Sequence, residues 1–238
     1  MNSAGPGLGD GVVVAVDGTS GSGKSSTSRG VARRLGLRYL DTGAMYRAVT
    51  WWMLRNGVDV HDPDAVASRC EEARIESGTD PSAPTIEVDG QDVAVEIRGE
   101  DVNAAVSPVS AVPRVRARMQ VMQRQIIEAS LDDGQGGIVV EGRDIGSVVW
   151  PDAPVKVFLS ADPGARAARR AAEEGGSDLE ATRDSLLARD KIDSGRAVSP
   201  LVLADGAVHV DTTELTLDGA IETIVAMVEN VWGGVSTP

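Results

Sequence analysis

Residues 18–25 of this chain are Gly18-Thr19-Ser20-Gly21-Ser22-Gly23-Lys24-Ser25, which match the pattern G-x-x-x-x-G-K-[S/T]. The run before it, residues 12–16, is continuously apolar and predicts a buried strand. Val31 and Leu35 follow at helical spacing, and Gly36 indicates the end of that helix. Because the match lies between a strand and a helix, we interpret it as a phosphate-binding loop. A chance match in a chain with 27 glycines is the less favoured reading.

Each residue type in this loop suits the binding of a nucleoside triphosphate. Glycines let the backbone turn tightly and approach a ligand closely, so that main-chain N–H groups converge on an anion. Lys24 would reach the β- and γ-phosphates, and the Ser25 hydroxyl would ligate Mg²⁺. The predicted nucleotide-binding residues are Gly18, Thr19, Ser20, Gly21, Ser22, Gly23, Lys24, Ser25 and Ser26, with Ser25 as the metal ligand.

The composition limits the possible classes of function. A chain of 238 residues with 42% apolar content can bury a sizeable core. Its formal net charge of −13 disfavours nonspecific binding to nucleic acid or to an anionic membrane. With Cys70 as the single cysteine, an intrachain disulfide is excluded. The sequence has no signal-peptide pattern and no apolar run of 18 residues, so we expect a cytoplasmic enzyme with neither nucleic acid nor membrane as a partner.

The order of the apolar segments predicts an α/β fold. Strands at 137–141, 155–159 and 208–211 alternate with helical patterns, which indicates a parallel sheet covered by helices on both faces. Between residues 74 and 98 apolar and polar residues alternate instead, and Asp89-Gly90 separates two such runs. That pattern predicts a small antiparallel β unit with a hairpin. The glycine-rich residues at 1–11 predict a disordered tail.

Three segments of the chain place arginine next to other residues suited to binding a ligand. Arginine is permanently charged and binds phosphate in a bidentate manner, so such segments suit an enzyme that brings two anionic groups together. Gly142-Arg143-Asp144 directly follows a predicted strand, at the end where open α/β sheets bind ligands. Residues 189–196 are polar with weak apolar periodicity, and they form either a solvated face or a mobile lid over the phosphates. The third segment is Tyr46-Arg47.

Taken together, these motifs resemble those of the bacterial cytidylate kinases, which are P-loop nucleoside monophosphate kinases. The resemblance rests on GTSGSGKS at 18–25, DTGAMYR at 41–47, VPRVR at 112–116, EGRDIG at 141–146, PDAPVK at 151–156, and Arg189–Arg196 with the following Ser199-Pro200-Leu201. They occur in the order found in the family, from residue 12 to about residue 230. The resemblance implies transfer of the γ-phosphoryl group of ATP to CMP or dCMP, with Mg²⁺.

The resemblance also implies a domain organisation and a set of site residues. It implies a P-loop core of residues 12–61 and 108–238, a CMP-binding domain inserted at 62–107, and a lid at 189–200 within the core. The implied catalytic residues are Lys24, Arg143, Arg189 and Arg196. The implied substrate-binding residues are Thr42, Tyr46, Arg47, Ser107, Arg116, Arg143, Asp144, Arg189, Asp193 and Arg196.

In the family pattern cytosine is read by Ser107, Arg116 and Asp144. Base chemistry agrees, because the N4 amino group of cytosine can donate to a carboxylate, and N3 and O2 can accept from arginine and serine. Uracil presents a carbonyl in place of the amino group, so the same site would leave buried polar groups unpaired. Asp193 with Arg189 would hold the ribose hydroxyls.

Several alternatives stay open on the sequence. Either Glu141 or Asp41 could orient Mg²⁺, and either CMP or dCMP could be preferred. A uridylate or adenylate kinase is the nearest rival function. A GTP-dependent switch would need an Asn-Lys-x-Asp segment, which the run at 190–193 lacks because Asp190 replaces the asparagine. We expect a monomer.

Overall fold

The computed structural model describes residues 11–134, 136–173, 176 and 178–234. Except for Gly11, the predicted tail at 1–11 lies outside the described residues. The strands are β1 (Val12–Gly18), β2 (Arg38–Asp41), β3 (Ile75–Ser77), β4 (Ile86–Val88), β5 (Gln91–Asp92), β6 (Gly137–Glu141), β7 (Val155–Ser160) and β8 (Val208–Asp211). The helices are α1 (Lys24–Leu35), α2 (Thr42–Arg55), α3 (Pro63–Arg69), α4 (Glu100–Ala111), α5 (Pro113–Asp132), α6 (Pro163–Glu173), α7 (Leu179–Ser194) and α8 (Leu217–Gly234). None of these described helices is both long and apolar enough to cross a membrane.

The main sheet has five parallel strands in the order β2-β6-β1-β7-β8. The strand that precedes the loop, β1, is buried along its whole length and lies at the centre of the sheet. All five strands therefore point their carboxyl ends to the same edge, and the loop after β1 lies at the middle of that edge. The predicted α/β fold with a parallel sheet is confirmed.

Helices cover both faces of this sheet. Because successive side chains of a strand point to opposite faces, Val14 and Val16 pack into one apolar cluster, with α1 and α8. Val13 and Ala15 pack into the other cluster, together with apolar side chains of α2 and α5. The continuous apolar run at the start of the chain is thus explained by a strand that is buried on both faces.

The segment between α3 and α4 forms a small antiparallel sheet in the order β3-β4-β5. The predicted hairpin at Asp89-Gly90 is present, and both residues have positive φ, at 53° and 80°, as a two-residue turn requires. The alternation predicted up to residue 97 does not continue as a strand. Val93 and Ile97 are buried while Val95 is 81% exposed, and Glu96–Arg98 forms a 3₁₀ turn. Spacing of four residues between Val93 and Ile97 suits one turn of helix, which the strand pattern had obscured.

This small sheet shares one apolar cluster with α2, α5 and the main sheet. The sequence predicts a helix start here, with Asp62 as the cap and Pro63 at the first helical position. This prediction is confirmed, since Asp62 accepts from the main-chain N–H groups of Asp64 and Ala65 and Pro63 is the first residue of α3. The boundaries of the inserted domain at residues 62 and 107 stay a prediction. Half of the predicted lid is helical, since α7 ends at Ser194.

Candidate active site

A cleft of about 880 Å³ opens at the carboxyl edge of the main sheet. The phosphate-binding loop, the start of α2, α4 and α7 form its walls. Most of the residues that the sequence singles out line this cleft, namely Ser20, Gly21, Gly23, Lys24, Ser25, Ser26, Thr42, Tyr46, Arg47, Ser107, Arg116, Arg143, Asp144, Arg189, Asp193 and Arg196. Gly18, Thr19 and Ser22 belong to the loop but do not line the cleft.

The loop lies close against the neighbouring strand. At Gly18 the backbone has a φ of 147°, and a Cβ atom there would lie 1.9 Å from the carbonyl oxygen of Leu159, so only glycine fits. Lys24 begins α1 and its Nζ donates to the carbonyl of Thr19 at 2.6 Å. Burial, followed by the charge of Arg143, lowers the pKa of Lys24 to about 7. An anion bound in the cleft would reverse that shift by restoring a partner for the ammonium group.

Glu141, the last residue of β6, accepts hydrogen bonds at the floor of the cleft. Its Oε1 accepts from the Ser25 hydroxyl at 2.8 Å and from the Tyr39 hydroxyl at 2.9 Å. Its Oε2 is buried and has no hydrogen-bond partner. Burial, followed by the charge of Asp41, raises the pKa of Glu141 to about 7. Asp41 itself caps α2 by accepting from the Ala44 N–H at 2.9 Å, so Glu141 is the carboxylate that contacts Ser25.

Arg143 makes hydrogen bonds to three residues, two in the phosphate-binding loop and one on α7. Its Nη1 donates to the carbonyl of Gly18 at 2.7 Å, and its Nη2 donates to the Ser20 hydroxyl at 2.6 Å. Its Nε donates to Asp193 on α7 at 2.7 Å. Asp193 also accepts from Arg196. The guanidinium of Arg143 therefore joins the loop to the lid segment.

At the other end of the cleft lies a buried ion pair. Arg116 of α5 donates to Asp144 at 2.6 Å, and the side chains of these two residues are 1% and 5% exposed. The guanidinium carbon of Arg116 lies 5.3 Å from the ring centroid of Tyr46, within the range of a cation–π contact. The Nε of Arg116 is buried without a hydrogen-bond partner, so it remains available to a ligand. Ser107 lines the same end of the cleft.

Cations crowd the middle of the cleft. Burial, followed by the charge of Arg98, lowers the pKa of Arg47 to about 10. Burial, followed by the charge of Arg143, lowers the pKa of Arg189 to about 9. Because these cations face one another in a chain with a net charge of −13, an anionic ligand bound among them would relieve their mutual repulsion.

Two other predicted residues have their contacts within the protein. The Thr42 hydroxyl donates to the carbonyl of Glu141 at 2.7 Å, and Arg47 donates to the carbonyl of Ile97 and to Asn103. Thr42 therefore joins α2 to β6, and Arg47 joins α2 to the segment around α4. Their roles in substrate binding stay predictions.

Three charged residues near the loop, two of them buried and one half-buried, are absent from the sequence prediction. Asp17 accepts from the N–H groups of Ile145 and Gly146 at 2.8 Å each. Arg166 of α6 and Asp190 of α7 pair with each other and contact Ser20. A carboxylate at the end of an otherwise apolar strand could have pointed to Asp17. No comparable signal identifies Arg166 among the arginines of α6.

Comparison with known proteins gives a consistent result. The family model described as cytidylate kinase matches residues 14–230. A protein named cytidylate kinase from Streptomyces griseus is 60% identical over 218 residues, which cover 92% of this chain and 93% of that protein. A protein of the same name from Rhodococcus opacus is 52% identical over 221 residues, which cover 91% of this chain and 94% of that protein.

Proposed function

This chain belongs to the cytidylate kinase family, and from that premise we propose that its cleft transfers the γ-phosphoryl group of ATP to CMP or dCMP. The products are ADP and CDP or dCDP. The observation that carries the proposal is that Lys24, Arg47 and Arg189 line one cleft. Burial, followed by the charge of a neighbouring arginine, lowers the pKa of each of these groups. Two phosphorylated substrates that meet in line supply the missing negative charge.

The donor nucleotide takes the loop side of the cleft. The N–H groups of the loop and of the start of α1 hold its phosphates, and Lys24 leaves the carbonyl of Thr19 to contact the β- and γ-phosphates. The positions from Gly18 to Ser26 make up this site.

Mg²⁺ fits the residues around Ser25. The Ser25 hydroxyl is a hard oxygen ligand, and the unpartnered Oε2 of Glu141 beside it suits a water molecule of the hydrated ion. Among the residues that the structure describes, no group of three or more His, Cys, Asp or Glu side chains could hold a metal ion, which agrees with an ion held mainly by phosphates. The bound ion would neutralise charge on the transferring phosphoryl group.

The acceptor base takes the opposite end. Asp144 accepts from the N4 amino group of cytosine, while Arg116 and Ser107 donate to N3 and O2. The buried Nε of Arg116, which has no hydrogen-bond partner among the described residues, supports this assignment. Because Arg116 already pairs with Asp144, the side chain of Asp144 is oriented before the base arrives.

The remaining polar groups surround the ribose and the phosphates. Asp193 and Arg189 hold the ribose hydroxyls, and Thr42 and Tyr46 lie beside the acceptor. Arg47, Arg143 and Arg196 surround the acceptor and transferring phosphates. Catalysis comes from in-line positioning and from stabilisation of charge by Lys24, Arg143, Arg189 and Arg196, without a covalent intermediate.

We extend the proposal to the organisation of the molecule. Residues 62–107 form the CMP-binding insert, and residues 189–200 form the lid that brings Arg189 and Arg196 over the phosphates. The enzyme acts as a monomer. It works in the cytoplasm, where both nucleotides are available. It needs no nucleic acid partner, in agreement with the net charge of −13.

A coupled assay of ADP formation tests the function. With Mg²⁺ and ATP, we expect rapid turnover with CMP or dCMP, and turnover with UMP and AMP lower by about 100-fold or more in kcat/KM. Measuring CMP and dCMP side by side determines the sugar preference. Acceptor-independent GTP hydrolysis, or equal rates with all four monophosphates, would overturn the proposal.

A further inference from the structure

Ser20, the third residue of the phosphate-binding loop, is held by charged side chains at each of its polar groups. Its N–H donates to Oδ1 of Asp190 at 2.9 Å, and its carbonyl accepts from Nη1 of Arg166 at 3.0 Å. Its hydroxyl accepts from Arg143 at 2.6 Å. A loop residue held by two helices and by Arg143 has little freedom to change its backbone conformation.

Asp190 and Arg166 also pair directly with each other. Nη1 of Arg166 donates to Oδ2 of Asp190, and the side chains of Arg166 and Asp190 are 5% and 13% exposed respectively. Arg166 is further fixed by a hydrogen bond from its Nε to the carbonyl of Ala161 at 3.1 Å. A buried pair with this many hydrogen bonds is costly to break from one side, because the remaining charge is left without a partner.

This pair lies behind the loop. Ser20 lines the cleft, but neither Asp190 nor Arg166 does. The packing at the next residue agrees, since a Cβ atom on Gly21 would lie 3.2 Å from Cβ of Arg166 and 3.4 Å from Leu186 of α7. Asp190 and Arg166 therefore lie outside the lining of the cleft, and their hydrogen bonds to Ser20 connect them to it.

Helix α7 reaches the loop at two levels. Asp190 contacts the main chain of Ser20, and Asp193, one turn further along the helix, reaches the Ser20 hydroxyl through Arg143. Arg189, the neighbour of Asp190, faces the cleft. The height and rotation of α7 are thus fixed relative to one loop residue, and so is the position of Arg189.

We propose that Asp190, with Arg166 as its counter-ion, is a positioning residue that keeps the phosphate-binding loop and helix α7 in a fixed register by holding the main chain of Ser20. This inference rests on the proposed function for its consequence in catalysis. Its effect on the nucleotide site is separate, because the loop binds the donor whichever acceptor is used.

Two substitutions at one position separate positioning from simple stabilisation. Asp190→Asn keeps an oxygen that can accept from the Ser20 N–H, whereas Asp190→Ala removes it, and both leave Arg166 without its carboxylate. We expect the two variants to lose similar thermal stability. The Ala variant should bind ATP about 10-fold more weakly and lose about 100-fold in kcat, and the Asn variant should stay within about threefold of the parent in both.

ATP affinity is measured by titration calorimetry with Mg²⁺ and without acceptor, so that it does not depend on the identity of the acceptor. Asp184→Ala, which removes an exposed carboxylate of α7, is the matched control and should change nothing. If the buried, unpaired Arg166 prevents folding, the same Asn and Ala pair is compared in an Arg166→Met background.

Equal losses of ATP affinity and kcat in Asp190→Asn and Asp190→Ala would overturn the inference, and so would normal values in the Ala variant. A parent protein that binds ATP but phosphorylates no pyrimidine monophosphate would refute the proposed function and leave the affinity comparison valid.

Discussion

The two ends of the cleft differ in their charge balance. At the base end Arg116 and Asp144 form a buried pair whose charges cancel. At the phosphate end Lys24, Arg47 and Arg189 face further cations, and their pKa values are lowered. The charges of the base end are thus balanced within the protein, whereas we propose that bound substrates balance those of the phosphate end. On that proposal, the ion pair at the base end is oriented before binding, and anionic substrates offset the cost of gathering positive charge.

The largest effect should come from the phosphate end, at Lys24. Lys24→Met keeps most of the side-chain volume and removes the charge that is expected to contact the β- and γ-phosphates. We expect kcat/KM for ATP to fall by about 1,000-fold or more, measured in the coupled assay with saturating CMP. Lys191→Met, at an exposed position of α7, is the control. A loss below 10-fold would show that the crowded cations are not required for transfer.

The base end is tested by replacing Asp144. Asp144→Asn keeps an accepting oxygen but offers an amide donor that suits the carbonyl of uracil. The ratio of kcat/KM for CMP over UMP should fall by about 100-fold. Asp152→Asn, at an exposed position, should leave the ratio unchanged, and thermal melting shows whether the variant is folded. Equal losses for CMP and UMP would remove Asp144 from base recognition.

Arg196 tests the phosphate end more finely. It donates to Asp193 and to the Ser110 hydroxyl, and its Nε is buried without a partner. Arg196→Lys keeps one charge but loses the bidentate geometry. We expect kcat to fall by about 10- to 30-fold with little change in the KM for ATP. Arg183→Lys, exposed on α7, is the matched control. Near-normal turnover would show that Arg196 does not stabilise the transition state.

The smallest effect concerns the support of the base end by Asp17. Burial raises the pKa of Asp17 from 3.8 to about 6, although the N–H groups of Gly146 and Ile145 oppose this shift and Asp144 and Lys24 also act on it. A carboxyl group with a raised pKa in the folded protein stabilises the fold fully below about pH 3.8. That stability is lost as the pH rises through about 6.

The raised pKa of Asp17 predicts that the free energy of unfolding decreases measurably as the pH rises. Between about pH 4 and pH 6 the free energy of unfolding should contain a decreasing contribution of about 1 kcal/mol per pH unit from Asp17, superimposed on those of other groups. Asp17→Asn should remove it, as measured by urea unfolding at several pH values. Asp184→Asn, at an exposed carboxylate of α7, is the control. Parallel pH profiles for the parent and Asp17→Asn would mean that Asp17 does not titrate in this range.

The sequence predicts short-range features well. The loop at 18–25, the start of α3 at Asp62-Pro63 and the turn at Asp89-Gly90 each depend on neighbouring residues, and all are present in the structure. The strand predicted from the alternating pattern is wrong near Val95. Apolar residues at Val93 and Ile97 are spaced as in a strand or in one helical turn, and the structure buries both in a segment that ends in a 3₁₀ turn.

The acceptor side was predicted only through the resemblance to a family. Its residues come from α4, α5 and the turn after β6, and no local pattern joins them. The support around the loop was missed for the same reason. Asp17 and Ile145 are 128 residues apart, and Ser20 and Asp190 are 170 apart.

By itself, the sequence determined the parallel α/β fold and the place of the phosphate-binding loop, because strand burial and the glycine-rich turn are encoded in neighbouring residues. Only the tertiary structure decided which carboxylates face which cations. Glu141 rather than Asp41 contacts Ser25, and Asp190 rather than Asp184 reaches the loop. The physical reason is that the energy of a charged group depends on its burial and on its partners in space, and folding brings those partners from distant parts of the chain.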